Sequence, residues 1–494
     1  MPRRPRRISL RLSSIALIPA TLLASCNQRP DAGPVIASAI GTKAQLSPGA
    51  LMRGDTGARV LFYAVAQGLV RFDSGGQIEP GLAERWTVLD DGTSYIFRLR
   101  EAEWSNGERV TARDVVRLLK RIISPRTRQP LAPYLTAIDD IVEMTPEVIE
   151  MRLKHPRPDL LKLLAQPELA IFRTRPAGGT GPFRIARPTS EGVILHPAFD
   201  PARADSDDVE EPSRQTNVDL IGESAARAIT RFMARKSDLV LGGDFNNWPL
   251  IPLASPAPAN MRMDPAAGLF GIAIAHRTGF LGDSANRAAL AQVIDRGAIV
   301  AAFAPGWAAA ETLLPDTLDS AAAPAAPEWQ GLSAAERYAA ARAQIQRWQK
   351  AHKDPIKLSI ALPRGPGATI FYGFVGAAFR SIGVELIRVS ADEPADLRLI
   401  DEVAPYDSAR WYLTRACQPC SNDAVDALID ARDAGTTADR ASALAAADKA
   451  MAGDTPFIVI ARPLRWSLVA TRLRQWQPNS RAWHPLNHLR ADTI

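Results

Sequence analysis

Polar and apolar positions alternate with a period of two over residues 94–100. Tyr95, Phe97 and Leu99 fall on one face, with Ser94, Arg98 and Arg100 on the other, as in a half-buried strand. Asp90-Asp91-Gly92 before this run and Ser105-Asn106-Gly107 after it are turn signals. The period then changes. Thr111-Ala112-Arg113-Asp114 has the form of a capping box, and Val115, Leu118, Leu119 and Ile122 follow at helical spacing. Hairpin, turn and helix are expected in that order. Short strands with turns dominate before about residue 200, and helices interleaved with strands dominate after about 280. Ser333 to Glu336 caps a helix running to about His352. Ala368 to Ile382 is an apolar-faced helix stopped by Gly383, with a strand over 384–389 behind it. Asp423 to Arg432 reads as a helix, and Thr436 to Asp439 opens another that ends near Gly453. Ile251 to Asp264, rich in proline and alanine, reads as a connection between large units, and Ala321 to Pro327 as a surface loop. An α/β body of two lobes is the expected class.

Length agrees with this division, because 494 residues exceed a single hydrophobic core. Charge changes the picture more. The net charge of +6 falls to +1 without residues 1–25, whose five charged side chains are all arginines. A near-neutral remainder has no electrostatic footprint for nucleic acid. Residues 1–25 themselves join a basic head, "MPRRPRR", to a short apolar run, "SSIALIPATLLAS", which describes a secretory signal. Cys26 follows Leu23-Ala24-Ser25 and resembles the lipidated cysteine of a bacterial lipobox. A plain secretory signal or an uncleaved anchor are the alternatives, although the apolar run is shorter than the roughly 20 residues of a spanning helix. Residues 26–49 have no clear periodicity and are expected to be a lipidated tether. The body should then be exported and held at the membrane only by its lipid.

The stretch "GQIEPGLAERWTVLDDGTSYIFRLREAEWSNGERVTARDVV" resembles the family-5 extracellular solute-binding proteins, the peptide-binding components of ABC importers. It carries that family's G-x-I-x-P-x-L-A-E-x-W, F-x-L-R, W-S-[DN]-G and T-A-x-D-V signatures in order, at Gly76–Trp86, Phe97–Arg100, Trp104–Gly107 and Thr111–Val115. "GGTGPFRI", "AARAITRFMARKSDLVL", "ANRAALAQVIDRGAIV" and "FRSIGVELIRV" extend the resemblance toward the C-terminus. It departs at His196 to Asp200, where an asparagine-aromatic-tryptophan run is usual, and at Asp407-Ser408 in place of Asp-Pro. The resemblance implies a two-lobed, type II, cluster C periplasmic-binding-protein-like α/β fold with an added small domain. One lobe would be discontinuous, 50–70 with 178–264 and 462–494. The inserted domain would be 71–177 and the second lobe 265–461. It implies a periplasmic monomer, with no enzymatic step and no cofactor, that captures an oligopeptide or similar solute and delivers it to an ABC permease. A nickel–chelator, opine or sugar ligand is the alternative within that class.

Site chemistry follows the same division. A peptide in a closed cleft must pair its backbone groups with strand edges and its ammonium with a carboxylate. By resemblance Asp407 is the candidate carboxylate, with Tyr406 and Trp411 as neighbouring cleft aromatics; ordinary loop packing is the alternative for each. Arg364 is a candidate for a ligand carboxylate, or a solvated loop arginine. Cys417-Gln-Pro-Cys420 precedes a helix and has the spacing of redox motifs, so an exported thiol oxidoreductase is the rival from another class. A local disulfide or two free thiols are the plainer readings. His484 and His488 are four apart, but Pro485 argues against a shared helix, and no metal-binding motif accompanies them. Trp86 and Trp104 are expected to pack in the core.

Overall fold

The structure, a computed structural model, describes residues 33–46, 54–124, 126, 130–174, 177–198, 214–316 and 318–490. Two large sheets organise it. The first has seven strands in the order Phe183–Pro188, Gly192–Pro197, Val218–Glu223, Val35–Ile40, Leu239–Asp244, Arg465–Val469 and Met261–Asp264. The second has five, in the order Val384–Ser390, Ile356–Leu362, Leu397–Val403, Gly268–Ile274 and Phe457–Ala461. Between them the chain crosses at residues 265–267 and returns at 462–464. A four-stranded antiparallel sheet, Ala83–Leu89, Ser94–Leu99, Val148–Leu153 and Ile138–Thr145, stands apart from both.

Local signals account for many of these elements. Tyr95, Phe97 and Leu99 are buried on one face of Ser94–Leu99. Thr111 caps the helix Ala112–Ile122 by accepting from the Asp114 N–H, and Val115, Leu118 and Leu119 are buried along it. Ser333 and Glu336 form a complete capping box on Ala334–Ala351. Trp104 is buried, with the Arg173 guanidinium 4.2 Å from its ring centroid.

Two expectations differ from what is found. Residues 35–40 are no tether: Val35–Ile40 is a central strand, parallel to Val218–Glu223 on one side and to Leu239–Leu241 on the other. Ala37, Ser38 and Ala39 are fully buried, so both faces are covered and no alternation marks the strand. Residues 1–32 and 47–49, with Cys26 and the signal segment, lie outside the described residues. Ile251 to Asp264 is also more than a connection, since Met261–Asp264 closes the edge of the first sheet and the crossing comes just after it.

An apolar seam joins the two sheets near the crossings. Phe245, one residue past the strand Leu239–Asp244, meets Phe270 of the second sheet edge-on at 4.9 Å. Such a seam holds the base of the two halves together while leaving the strand ends beyond it apart. Among the described residues, no helix is long and apolar enough to cross a membrane.

Candidate solute-binding cleft

Beyond the seam lies a cavity of about 700 Å³, within the size of a small-ligand site. The first sheet contributes Leu241 to Asp244 and Arg465 to Ser467. The second contributes Asp401 to Val403, continuing into Ala404 and Pro405. Tyr134, Gln166 and Glu168 close one side and Arg481 to His484 another. Glycines bring the backbone close: Gly242 has φ +84°, and a Cβ on Gly243 would sit 2.1 Å from the Trp466 ring.

The strand Leu397–Val403 supplies an open backbone edge. It pairs along its length with Gly268–Ile274, yet on its other side it meets Ile356–Leu362 only at Leu397 and Arg398. The Ala404 N–H donates to Ala267 O, which continues the ladder with Gly268–Ile274. By antiparallel alternation, Asp401 and Val403 therefore turn their N–H and C=O groups to the free side. There the Asp401 carbonyl accepts from Arg465 Nη2 at 3.1 Å, which confirms the direction of the edge.

Charged side chains ring this edge, mostly in pairs. Arg415 donates to both carboxylate oxygens of Glu402 at 2.6 and 2.5 Å, and Arg59 lies 3.2 Å from Glu168. Arg465 Nη1 donates to Asp401 Oδ1 at 2.8 Å, a bond between the two sheets. Burial pushes the Asp401 carboxyl up; Arg465 opposes this and the Asp244 charge adds to it, leaving a value of about 6. Asp244 Oδ1 accepts from the Asn247 N–H and Nδ2 at 3.0 and 2.8 Å. Asp264 accepts from the Asn479 N–H, and its Oδ2 lies 3.1 Å from His484 Nε2.

The residues singled out from sequence fall in different places. Trp411 lines the cavity and is buried. Tyr406 is buried and not among the lining residues, its ring edge-on to Tyr134, which does line the cavity. Asp407 is not among the lining residues. It receives Lys162 Nζ at 2.5 Å on Oδ2 and the Arg481 guanidinium on Oδ1. Burial would raise its carboxyl, but the hydrogen bonds from Lys162 and Arg481 outweigh it and hold the group below the usual range. Arg364 is exposed, outside the lining, with its carbonyl accepting from Asn246 Nδ2 at 2.8 Å. Cys417 and Cys420 are joined by a disulfide between the helices Ala409–Ala416 and Asn422–Asp433. His488 turns to Glu79, away from the Asp264 partner of His484. Among the described residues no group of three or more His, Cys, Asp or Glu could hold a metal. Asp244, Asp401, Glu402, Arg415, Arg465 and Arg481 were not singled out; acids just past apolar strands, in "LGGD" and "LIDE", were the available signal.

Comparison with known proteins gives this cleft its context. Residues 77–353 match the family described as bacterial extracellular solute-binding proteins, family 5 middle. A 70-residue segment is 47% identical to the probable deoxycholate-binding periplasmic protein YgiS of Escherichia coli, covering 14% of this chain and 13% of that protein. A 93-residue segment is 40% identical to the periplasmic oligopeptide-binding protein OppA of Haemophilus influenzae, covering 19% and 17% respectively. The alignments thus span less than a fifth of these curated relatives. In three dimensions the likeness is far wider. The crystal structure of Haemophilus influenzae OppA complexed with RPPGFSPFR aligns over 92% of this chain and 98% of that one, with TM-score 0.77 and 16% identity, a likeness of fold. Two large sheets flanking a charged cleft, a third sheet set apart and the match over residues 77–353 lead to one conclusion: the chain belongs to the family-5 bacterial extracellular solute-binding proteins.

Proposed function

We propose that the chain captures oligopeptides in the periplasm and delivers them to the permease of an ABC transporter. The open edge of Leu397–Val403, facing a 700 Å³ cavity, carries this reading. A peptide needs partners for its own N–H and C=O groups, and a strand edge supplies them independently of side-chain sequence. The OppA of Haemophilus influenzae, whose structure has this fold, was crystallised with a nonapeptide.

Lobe closure does the work in this reading. One lobe comprises 50–70, 178–264 and 462–494, joined by the strand Val35–Ile40; the other comprises 265–461, and 71–177 forms the inserted domain. The hinge is the pair of crossings at 265–267 and 462–464. Contacts across the cleft favour the closed form, among them Arg465 to Asp401 and Gln166 Nε2 to the Pro405 carbonyl at 2.7 Å. Ligand adds to them and shifts the population toward the closed state that a permease recognises. Lipidation of Cys26 would keep the protein at the membrane. Asp407, with two cations already bound, serves as a closure contact, and Trp411 and Tyr134, the latter backed by Tyr406, serve as aromatic walls. No bond-making step is required, and the Cys417–Cys420 pair lies outside the cavity lining.

Mass spectrometry of ligand co-purified from the periplasm tests the reading, with short peptides expected. A single non-peptide compound, such as a bile acid, opine, sugar or nickel chelate, would replace it with the second reading, which the local match to YgiS favours. Intact mass of the membrane fraction should show a lipid that Cys26→Ser removes; an unchanged mass would sink the anchor.

A further inference from the structure

Trp411 and Arg415, which line the cleft, stand on the eight-residue helix Ala409–Ala416. A helix shorter than about 12 residues is marginal in water, so this one is placed by what grips its ends. At its start Asp319 accepts from the Ala409 N–H at 2.7 Å and from Ser408 Oγ at 3.0 Å. At its end the chain leaves through Cys417, and the disulfide to Cys420 ties it to the next helix, Asn422–Asp433. Ser421, which caps that next helix, is anchored in the lobe: its N–H donates to Asp454 Oδ2 at 2.9 Å. Asp454 is buried and in turn receives Arg287 Nη2 at 2.6 Å. The disulfide thus joins an anchored helix to the short one that faces the solute. Both helices also reach the inserted domain. Arg410 Nη1 donates to the Pro133 carbonyl at 3.1 Å, and Arg157 Nη2 donates to the Arg432 carbonyl at 2.5 Å. Cys417 and Cys420 are half-buried, and Gln418 and Pro419 between them are exposed, so a small thiol can reach the bond.

We infer that the Cys417–Cys420 disulfide positions the wall formed by Trp411 and Arg415, and so makes solute capture redox-sensitive, given the reading of the cleft as a peptide site. A dithiol supplies the two electrons. One of its thiolates attacks a sulfur of the pair, giving a mixed disulfide and one free protein thiol. Its second thiol then displaces the other sulfur. Cys417 and Cys420 end as two thiols and the reagent as a cyclic disulfide; oxidised glutathione reverses the exchange and leaves as two reduced molecules. In the reduced protein the helix Ala409–Ala416 keeps its grip on Asp319 and loses the covalent one. Its last turn, which carries Arg415, then opens more readily. Ordering that wall around a solute costs part of the binding energy that the disulfide otherwise preserves.

The full chain is compared oxidised, reduced with dithiothreitol, and reoxidised with oxidised glutathione; alkylation and intact mass report the state of the pair. Without ligand, amide hydrogen exchange over 411–417 should quicken roughly tenfold on reduction, return on reoxidation, and stay unchanged in the strand Gly268–Ile274. Retention of a mixed tripeptide pool in equilibrium dialysis should fall about five- to tenfold on reduction and recover on reoxidation. The double variant Cys417→Ser, Cys420→Ser should bind as the reduced wild type does and be indifferent to dithiothreitol. Resistance of the folded protein's disulfide to the dithiol would overturn the inference, as would equal exchange at 411–417 in both states. Faster exchange throughout the chain would overturn it too, by making the disulfide a general staple. Unchanged retention with a loosened 411–417 would overturn redox-sensitive capture while leaving peptide capture standing. Retention of no peptide by the oxidised protein would remove the peptide reading and redox-sensitive capture with it, whereas exchange at 411–417 would still decide the positioning.

Discussion

Asp401 and Asp407 lie six residues apart on the same rim of the cleft, and their surroundings push them in opposite directions. Asp407 has two cations for one carboxylate, and its carboxyl is held below the ordinary range although burial opposes this. Asp401 pairs with the Arg465 guanidinium of the other sheet, and burial, with the Asp244 charge adding to it, lifts the carboxyl to about 6. The contrast separates a charge satisfied within the protein from one that burial leaves short of compensation. A carboxylate already satisfied by protein cations contributes to holding elements together. One that is desolvated and under-compensated costs stability until something else neutralises it, and in a binding cleft that something is a ligand.

Neutralising Asp401 is the strongest way to break the comparison. The folded carboxyl lies above its ordinary value of 3.8, so the folded state binds the proton more tightly. Its contribution therefore falls as pH rises from about 4 to about 6, by roughly 2–3 kcal/mol. Asp401→Asn removes the charge and keeps the shape, so at pH 8 the ligand-free protein should gain about 2 kcal/mol in urea unfolding. A loss instead would show that the Arg465 pair outweighs burial and that the two carboxylates are alike.

Affinity for an ammonium-bearing peptide should follow the same group with the opposite sense. Binding prefers the ionised form, so affinity rises with pH and should be about tenfold weaker at pH 5 than at pH 7, or about 1.4 kcal/mol. Asp244 and Glu402 hold the Asp401 proton on, Arg465 opposes them, and the His484–Asp264 contact lies on the same wall. Calorimetry at pH 6 in two buffers of different ionisation enthalpy should detect proton release on binding. A flat profile would detach Asp401 from the ligand.

Asp407→Asn gives the smallest effect and the opposite sign to Asp401→Asn. Its depressed carboxyl contributes stability above pH 4, lost as pH falls through the folded value. The side chain is 41% exposed, so screening limits the loss to about 1 kcal/mol, unchanged from pH 5 to 8. Melting curves across that range check it; a gain in stability would mean that Lys162 and Arg481 do not need this partner.

Much of the scaffold is legible because it is local. The alternation of Tyr95, Phe97 and Leu99, the Thr111 cap and the Ser333–Glu336 box each involve groups within a few residues, whose geometry the backbone period sets directly. The ordered signatures from Gly76 to Val115 carry the family for the same reason. Val35–Ile40 escaped because a parallel strand buried on both faces has no alternation to show, and its small residues resemble a linker.

The charge balance of the cleft belongs to tertiary structure alone. Asp401 and Arg465 are 64 residues apart, Asp407 and Arg481 74, and Lys162 and Asp407 245. In the chain, Asp401 and Asp407 are two equivalent acids near the end of a strand. Whether an acid is satisfied or left short depends on how many cations and how much water surround it, and the fold alone sets both when it brings distant segments to one rim. By itself the sequence determined the locally signalled elements and the family resemblance; the packing of two sheets across a cleft decided which carboxylates meet there and which has charge to spare.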